Sequence, residues 1–447
     1  MPSPTMSQNE RARLYLATAF TEPIRDPLWN HIYLPPGIAR LTETREFQQL
    51  ARIKQLGPTY LVYPGATHTR LNHSLGVFHI AKRMMEHLLA QQEAPEITVE
   101  GLKAFLAASL LHDLGHFPYT HSLKGLSLAE HEQLTGRIIL EGELRRILEE
   151  EVGTEATMVA AIVDDSFDHP NGEELRLYRK LLSGSLDPDK LDYLNRDAYF
   201  CGVPYGIQDI DYVLSRLRPN GYDGVAVDVT GVSAVESILF SKYQMYRAVY
   251  WHRTVRVATA MIKKAVFMAL REAQITPGAL YGLDDELFYA RLGSSEYPPL
   301  GLLKLVYNRQ LYTTLFDIPY DGDSPRHREL ESMEGRSEVE EQIRGHLATV
   351  TRREVAREDV VADLPENISF ETSFPVRDGD GRIDFTESGT VFRPEVVRRF
   401  VHTLRRIRLN VSPSLAAALP EADWTRELGF APGAAGSETK TGEGRDG

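Results

Sequence analysis

The 447-residue chain carries 63 acidic against 50 basic side chains, a formal net charge of -13, so overall charge attraction does not hold it to nucleic acid or anionic lipid. Hydrophobic residues make up 42%, enough for a large core divided among two or three substructures, which excludes a disordered or fibrous chain over most of the length. The lone Cys201 allows no internal disulfide, the N-terminus lacks a basic-then-apolar signal, and no apolar run approaches the roughly 18 residues that cross a bilayer. A soluble protein of the reducing cytoplasm, without membrane contact, is expected.

Up to about residue 320, apolar side chains recur at spacings of three and four, which predicts helices joined by short loops. Residues 75–89 put Val77, Ile80, Met84 and Leu88 on one face, and residues 102–113 do the same with Leu102, Phe105, Leu106 and Leu110. At 185–200 the start signal is explicit: Asp187 suits the cap, Pro188 the first helical position and Asp189 the positive end of the helix dipole. A single long helix is predicted over 236–271, where neither Gly nor Pro interrupts. Beyond 320 the chain is highly charged. There ISFETSF and RIDFTE read as two short strands about the turn RDGDG, followed by a basic helix over 393–408, and residues 431–447 have little apolar surface to bury. The carboxylates of DDSFDHPNG and RDGDGRID read as a solvated loop and a hairpin turn rather than a cation site.

Eight of the 14 histidines fall between His68 and His131, a clustering that needs a chemical reason. His73 lies four residues before Val77 on a buried helical face, His112 follows Phe105 and Ala108 at core spacing, and Asp189 shares a face with Tyr193 and Asp197. Three core helices can thus deliver His73, His112, Asp113 and Asp189 to one interior point. Two imidazoles and two carboxylates with no thiolate suit a divalent iron, manganese, nickel or zinc ion, which acidifies a water toward neutrality. Between Lys242 and Lys264 lie six cations and no acid, interleaved with Tyr243, Tyr246, Tyr250 and Trp251, a composition suited to phosphates and a base.

The strings RDPLWNHIYLPP, FQQLARIKQLG, YPGATHTRLNHSLG, LLHDLGHFPYTH and LDPDKLDYLNRD, in this order between about Arg25 and Phe316, resemble the HD-domain deoxynucleoside triphosphate triphosphohydrolases. The resemblance implies a mainly α HD-domain helical bundle over 25–320, with its metal site within 70–200 and a nucleotide-binding helix over 236–271. Residues 1–24 would form an N-terminal extension too short for a SAM domain, 321–430 a small C-terminal α+β appendage, and 431–447 a disordered tail.

Carried onto this chain, the resemblance implies one tightly bound transition metal on His73, His112, Asp113 and Asp189, with Mg2+ arriving with the substrate. It implies catalytic roles for Arg70, Asp113, His116, His121 and His131, with His121 protonating the leaving 5′ oxygen. Asp187, Lys190, Lys242 and Tyr246 would stand with Arg70 on the nucleotide, Gln55, Tyr193 and Asp197 would read the deoxyribose, and Leu56 with Tyr250 would crowd its C2′. A homo-oligomer, dimer or tetramer, is implied. A nucleotide effector is less transferable, because Glu43 and Ala51 stand where the mammalian relative has the Asp and Arg that hold guanine. Two rival readings are another HD phosphohydrolase, acting on a cyclic dinucleotide or nucleoside monophosphate, and a nucleotide- or single-strand-binding protein with a silent metal site, the latter suggested by the arginines of 393–408.

Overall fold

A computed structural model describes residues 6–379 and 381–431, and the tail expected over 431–447 lies, apart from Ala431, outside the described residues. The chain is mainly α-helical, with three small sheets among the described residues. The described residues divide into two units, one within 1–310 and 368–401, the other within 311–367 and 402–447. No helix among the described residues is long and apolar enough to cross a membrane.

The first unit is built on the packing of three helices that the sequence signals well. Arg70–Leu89 begins after Thr69, whose amide donates to Asn72 Oδ1 at 3.1 Å; Val99–Leu111 begins after Thr98, whose hydroxyl accepts from Gly101 N at 2.9 Å. Pro188–Cys201 is capped by Asp187, whose Oδ1 accepts from Lys190 N at 2.7 Å, and it ends at Gly202 in the left-handed region. Each orphan amide satisfied in this way contributes roughly 1 kcal/mol to the helix start. The Arg70–Leu89 helix packs against both of the others and is the middle of the three. Where Pro188–Cys201 approaches it, Gly76 leaves the room that Asp192 and Arg196 occupy; a Cβ there would overlap both side chains.

Several expectations need correction. The helix predicted over 102–113 stops at Leu111, so that His112 and Asp113 lie in its terminating turn. The long helix predicted over 236–271 is two helices, Val232–Met245 and Arg253–Arg271, separated by a π-helical turn over Tyr246–Tyr250. The second helix is started by His252, whose side chain accepts from Thr254 N at 3.2 Å, a cap that the composition of the stretch does not announce. The expected helical region also contains a hairpin, Glu22–Asp26 paired with Asn30–Leu34, which the sparse alternation did not signal.

The appendage expected over 321–430 is not one body. Its segment 368–401 belongs to the first unit, because the strand Pro375–Asp378 pairs in parallel with Val225–Asp228 through Val227 and Val376 and continues that sheet as a hairpin with Gly381–Asp384. ISFETSF itself forms no strand; the pairing starts at Pro375, immediately after it. In the second unit, Thr313–Pro319, Arg406–Val411 and Val360–Asp363 form an antiparallel sheet with Arg406–Val411 in the centre, packed with the Met333–Thr351 helix about a core that includes Leu347, Val360, Leu409 and Phe430. The basic helix expected to run through 408 therefore ends at Leu404. Arg406 and Arg408 sit on a strand with their Nε atoms 2.5 and 3.0 Å from Asp317, which removes them from the basic face that had suggested single-strand binding.

Candidate metal centre

His73 presents its two ring nitrogens to two carboxylates. Nδ1 donates to Asp192 Oδ2 at 2.9 Å, which fixes the ring, and Nε2 lies 2.9 Å from Asp189 Oδ1. His112 is anchored in the same manner, Nδ1 donating to the Ser109 carbonyl at 3.1 Å, and this turns Nε2 toward Asp113 Oδ1 at 3.3 Å and Asp189 Oδ1 at 3.9 Å. Asp113 is buried, and its second oxygen accepts from Arg70 Nη1 at 2.7 Å. His116 Nε2 stands 3.2 Å from Asp113 Oδ1, its ring stacks on His131 with centroids 4.0 Å apart, and His121 makes edge contacts with both at 4.8 and 5.3 Å. A cavity of about 160 Å³ lies beside this triad, lined by His121, His131, Lys124 and Glu130 among others.

These donors fit a divalent cation. The ligand atoms of His73, His112 and Asp189 lie within 4.8 Å of one another, and Asp113 is joined to them through His112. His112 Nε2 is buried without a hydrogen-bond partner, a lone pair aimed at the point where the carboxylates converge. Burial alone would pull the His73 pKa down, but its hydrogen bonds to Asp189 and Asp192 prevail and push it up to about 10. Asp189 is held down near 2: enclosing its charge opposes this, but the His73 hydrogen bond and the nearby His73 and His112 rings together prevail, although its side chain is 37% exposed. Asp113 lies well below the usual carboxylate range: burial opposes its charge, while His112, His116 and Arg70 favour it more strongly.

Behind His73 stands a buried ionic cluster that the sequence did not reveal. Asp192 accepts from His73, from Arg196 Nε at 2.8 Å and Nη2 at 2.9 Å, and from Trp29 Nε1 at 2.6 Å. Arg196, with no exposed surface, also donates to Asp26 Oδ2 at 2.8 Å, and Asp26 Oδ1 in turn accepts the Leu28 and Trp29 amides of the N-terminal hairpin. The hairpin brings Asp26 and Trp29 to this point. Carboxylates that orient a ligating histidine in this way typically hold its tautomer and raise its basicity.

The other predicted residues divide into two groups. Lys190 Nζ donates to Asp187 Oδ2 at 2.7 Å and to the Gly184 carbonyl at 2.9 Å, and lies 3.1 Å from Glu371; Lys242 Nζ donates to the Ser369 carbonyl at 2.8 Å and lies over the Phe370 ring. Both lysines therefore touch the segment that follows Ile368, which no motif had linked to the site. Asp197 accepts from Tyr250 Oη at 2.7 Å, and Tyr246 meets Tyr250 edge-on at 5.0 Å. Tyr193 is raised well above its ordinary pKa by burial and then by Tyr246. Gln55 has a buried Oε1 without a partner, and Leu56 follows it, half-buried, before the short Gly57–Leu61 turn. Of the six cations between 242 and 264, Arg256, Lys263 and Lys264 are buried within the Arg253–Arg271 helix, while Lys242 reaches the segment beside Lys190.

The histidines make acid stability predictable. Burial drives His79 and His131 down to about 4 and His116 well below 6.5, so the unfolded chain takes up these protons first as pH falls below 6.5. Their contribution is complete above 6.5 and is lost toward pH 4; Asp187, raised by burial to about 7, keeps its proton when folded and acts in the opposite direction. Three groups against one, with the more exposed His121 adding a smaller part in the same direction, leave a net loss of at least ~2 kcal/mol per pH unit near pH 5, which urea titrations of metal-free protein at pH 6.5, 5.5 and 4.5 will read as a falling midpoint.

The HD domain family matches residues 70–197, which hold all four metal candidates and the three clustered histidines, and the HD-associated region matches residues 210–405. An uncharacterised protein of Bacillus subtilis is 37% identical over 247 residues, 55% of each chain, and one of Methanocaldococcus jannaschii is 33% identical over 305 residues, 68% of this chain and 61% of its own. The matches therefore cover little more than half of those relatives. A deoxynucleoside triphosphate triphosphohydrolase homologue of Dictyostelium discoideum is 24% identical over 419 residues, 87% of this chain and 76% of its own. Among solved structures, a hypothetical protein from Aquifex aeolicus superposes with a TM-score of 0.66 at 28% identity, covering 89% of this chain and 98% of that one. The domain match and its histidines and aspartates coincide with the geometry above: the chain carries an HD domain over residues 70–197, followed by an HD-associated region over residues 210–405.

Proposed function

We propose that the chain is a metal-dependent deoxynucleoside triphosphate triphosphohydrolase that releases a deoxynucleoside and tripolyphosphate. The observation that carries this reading is the meeting of two unlike chemistries: a His73, His112, Asp113 and Asp189 cation site directly beside three clustered histidines and Arg70. The relatives that bear the triphosphohydrolase name support it.

His73, His112, Asp113 and Asp189 would hold the ion, which when bound supplies Lewis acidity and acidifies a water. Asp113 orients the attacking water and takes its proton. Arg70 and Lys190 offset the charge that grows on the phosphate oxygens. Water oxygen bonds to the α-phosphorus, the bond to the 5′ oxygen breaks, and a proton from His121 Nε2 or Nδ1 goes to that oxygen. In the free protein, enclosure and then Arg70 pull the His121 pKa down to about 4, yet the side chain is exposed, and an arriving triphosphate with its several negative charges reverses the sign of its surroundings. His121→Ala is accordingly expected to lower kcat by ~10²–10⁴-fold with little change in KM, read by initial rates across substrate concentration.

On the sugar side, Gln55, Tyr193 and Asp197 read the 3′-hydroxyl and Leu56 with Tyr250 closes the space at C2′. Lys190 and Lys242 bind the phosphate chain, displacing their contacts with Glu371 and Ser369. A homo-oligomer is part of the same reading. The test is a screen of the four dNTPs and four NTPs with Mg2+ and with Mn2+, followed by chromatography: nucleoside release from dNTPs ahead of NTPs is expected, and cleavage of cyclic dinucleotides or nucleoside monophosphates in their stead would replace this reading.

A further inference from the structure

We infer that His68 is the positioning residue through which the protein discriminates the sugar of its nucleotide. This rests on the sugar-side reading above but names a residue that the reading does not use. His68 lies just before the Arg70–Leu89 helix, in the stretch where Thr69 bridges to Lys54, and its side chain has no exposed surface. Its backbone carbonyl accepts from Gln55 N at 3.0 Å. Its imidazole Nε2 donates to Asp197 Oδ1 at 2.8 Å, and the ring stacks on Phe200 with centroids 4.6 Å apart at 22°. The remaining oxygen of Asp197 accepts from Tyr250 at 2.7 Å.

Three residues that stand far apart in the chain are therefore tied through one imidazole and its carbonyl. Gln55 is held by the backbone of His68, Asp197 by its side chain, and Tyr250 by way of Asp197. A buried carboxylate with donors on both oxygens has one orientation; with the His68 donor gone it is free to rotate about its Cβ–Cγ bond, and the Tyr250 hydroxyl loses its fixed partner. The stacking on Phe200 leaves the imidazole no alternative rotamer of similar contact. His68 Nδ1 is buried without a hydrogen-bond partner, a cost that a purely structural residue would be under no need to carry at this place, where an apolar side chain packs on Phe200 equally well. The hydrogen bonds of His68 run to Asp197 and Gln55, on the sugar side, and not to the metal ligands or the His116, His121 and His131 cluster. Its effect should therefore appear in sugar recognition and not in the chemical step.

The experiment compares His68→Leu, which keeps the volume and loses the donor, with His68→Gln, whose Nε2 reaches the position of the imidazole Nε2. Both are assayed with a dNTP and the matching NTP, with bound metal measured in each protein. Loss of one hydrogen bond to a charged group predicts for His68→Leu a rise of ~10–100-fold in KM for the dNTP and a comparable fall in the dNTP-to-NTP ratio of kcat/KM, at unchanged metal content. His68→Gln should restore most of that ratio. An unchanged ratio in His68→Leu overturns the inference, as does a His68→Gln protein impaired equally, or a loss confined to kcat and metal content. A wild-type enzyme that does not prefer dNTP to NTP would instead overturn the functional reading itself, so the two failures are told apart by which protein shows them.

Discussion

Replacement of Asp113 by asparagine is expected to lower hydrolysis by ~10⁴-fold or more while leaving the helical circular dichroism unchanged. Asp113 joins the cation site to the histidine cluster: Oδ2 takes the Arg70 guanidinium, and Oδ1 faces both His112 and His116. Asparagine preserves the shape, and its oxygen still accepts from Arg70, so the helices have no cause to separate. The charge is what disappears. Without it the cation site has the single carboxylate of Asp189, and Arg70 keeps a positive charge in a buried place with no counter-ion, which repels the metal. Metal analysis of the purified variant should show a deficit, and added Mn2+ should not restore the rate. Retained hydrolysis by Asp113→Asn with a full complement of metal would remove Asp113 from the mechanism.

Asp192→Ala should be the most destabilising single change at the site. It leaves Arg196 buried with Asp26 alone and removes the acceptor of both His73 Nδ1 and Trp29 Nε1. Removing one partner of a buried pair costs about 3–5 kcal/mol, whereas exchanging the whole pair for apolar groups of similar volume is often neutral. The double variant Asp192→Leu with Arg196→Met should therefore recover much of the thermal stability lost in Asp192→Ala. Metal affinity should remain lower by ~10–100-fold in both, because His73 has lost the carboxylate that orients it in each. Thermal unfolding paired with metal titration separates the two effects; a double variant that regained both would show that Asp192 serves packing alone.

The candidate metal-binding side chains that the fold brings together were legible in the sequence because each is announced locally. His73 stands at helical spacing from a buried face, His112 and Asp113 close a core helix, and Asp187 and Pro188 mark the start of the helix that carries Asp189. The cluster behind them was not, since Asp192 and Trp29 are 163 residues apart and only the fold makes them neighbours. The same is true of His68 and Asp197, and of the return of 368–401 to the first unit through one parallel strand pair. The misread strand is a different case. Arg406 to Val411 alternates charged or polar with apolar residues, a period of two, but it continues a helical pattern without a break in composition, and the arginines on it are satisfied by acids elsewhere in the chain, Asp317 and Asp363. The π-turn at Tyr246–Tyr250 likewise leaves the helical spacing of its aromatics almost intact.

The central claim is that water attacks the α-phosphorus of a deoxynucleoside triphosphate at the His73, His112, Asp113 and Asp189 centre. Its most direct test is hydrolysis of a dNTP in ¹⁸O-water by the metal-loaded protein, with both products analysed by mass spectrometry. The account predicts equal amounts of deoxynucleoside and tripolyphosphate, with the label in the tripolyphosphate. Label in the nucleoside, or the appearance of a nucleoside mono- or diphosphate with pyrophosphate or phosphate, would contradict it.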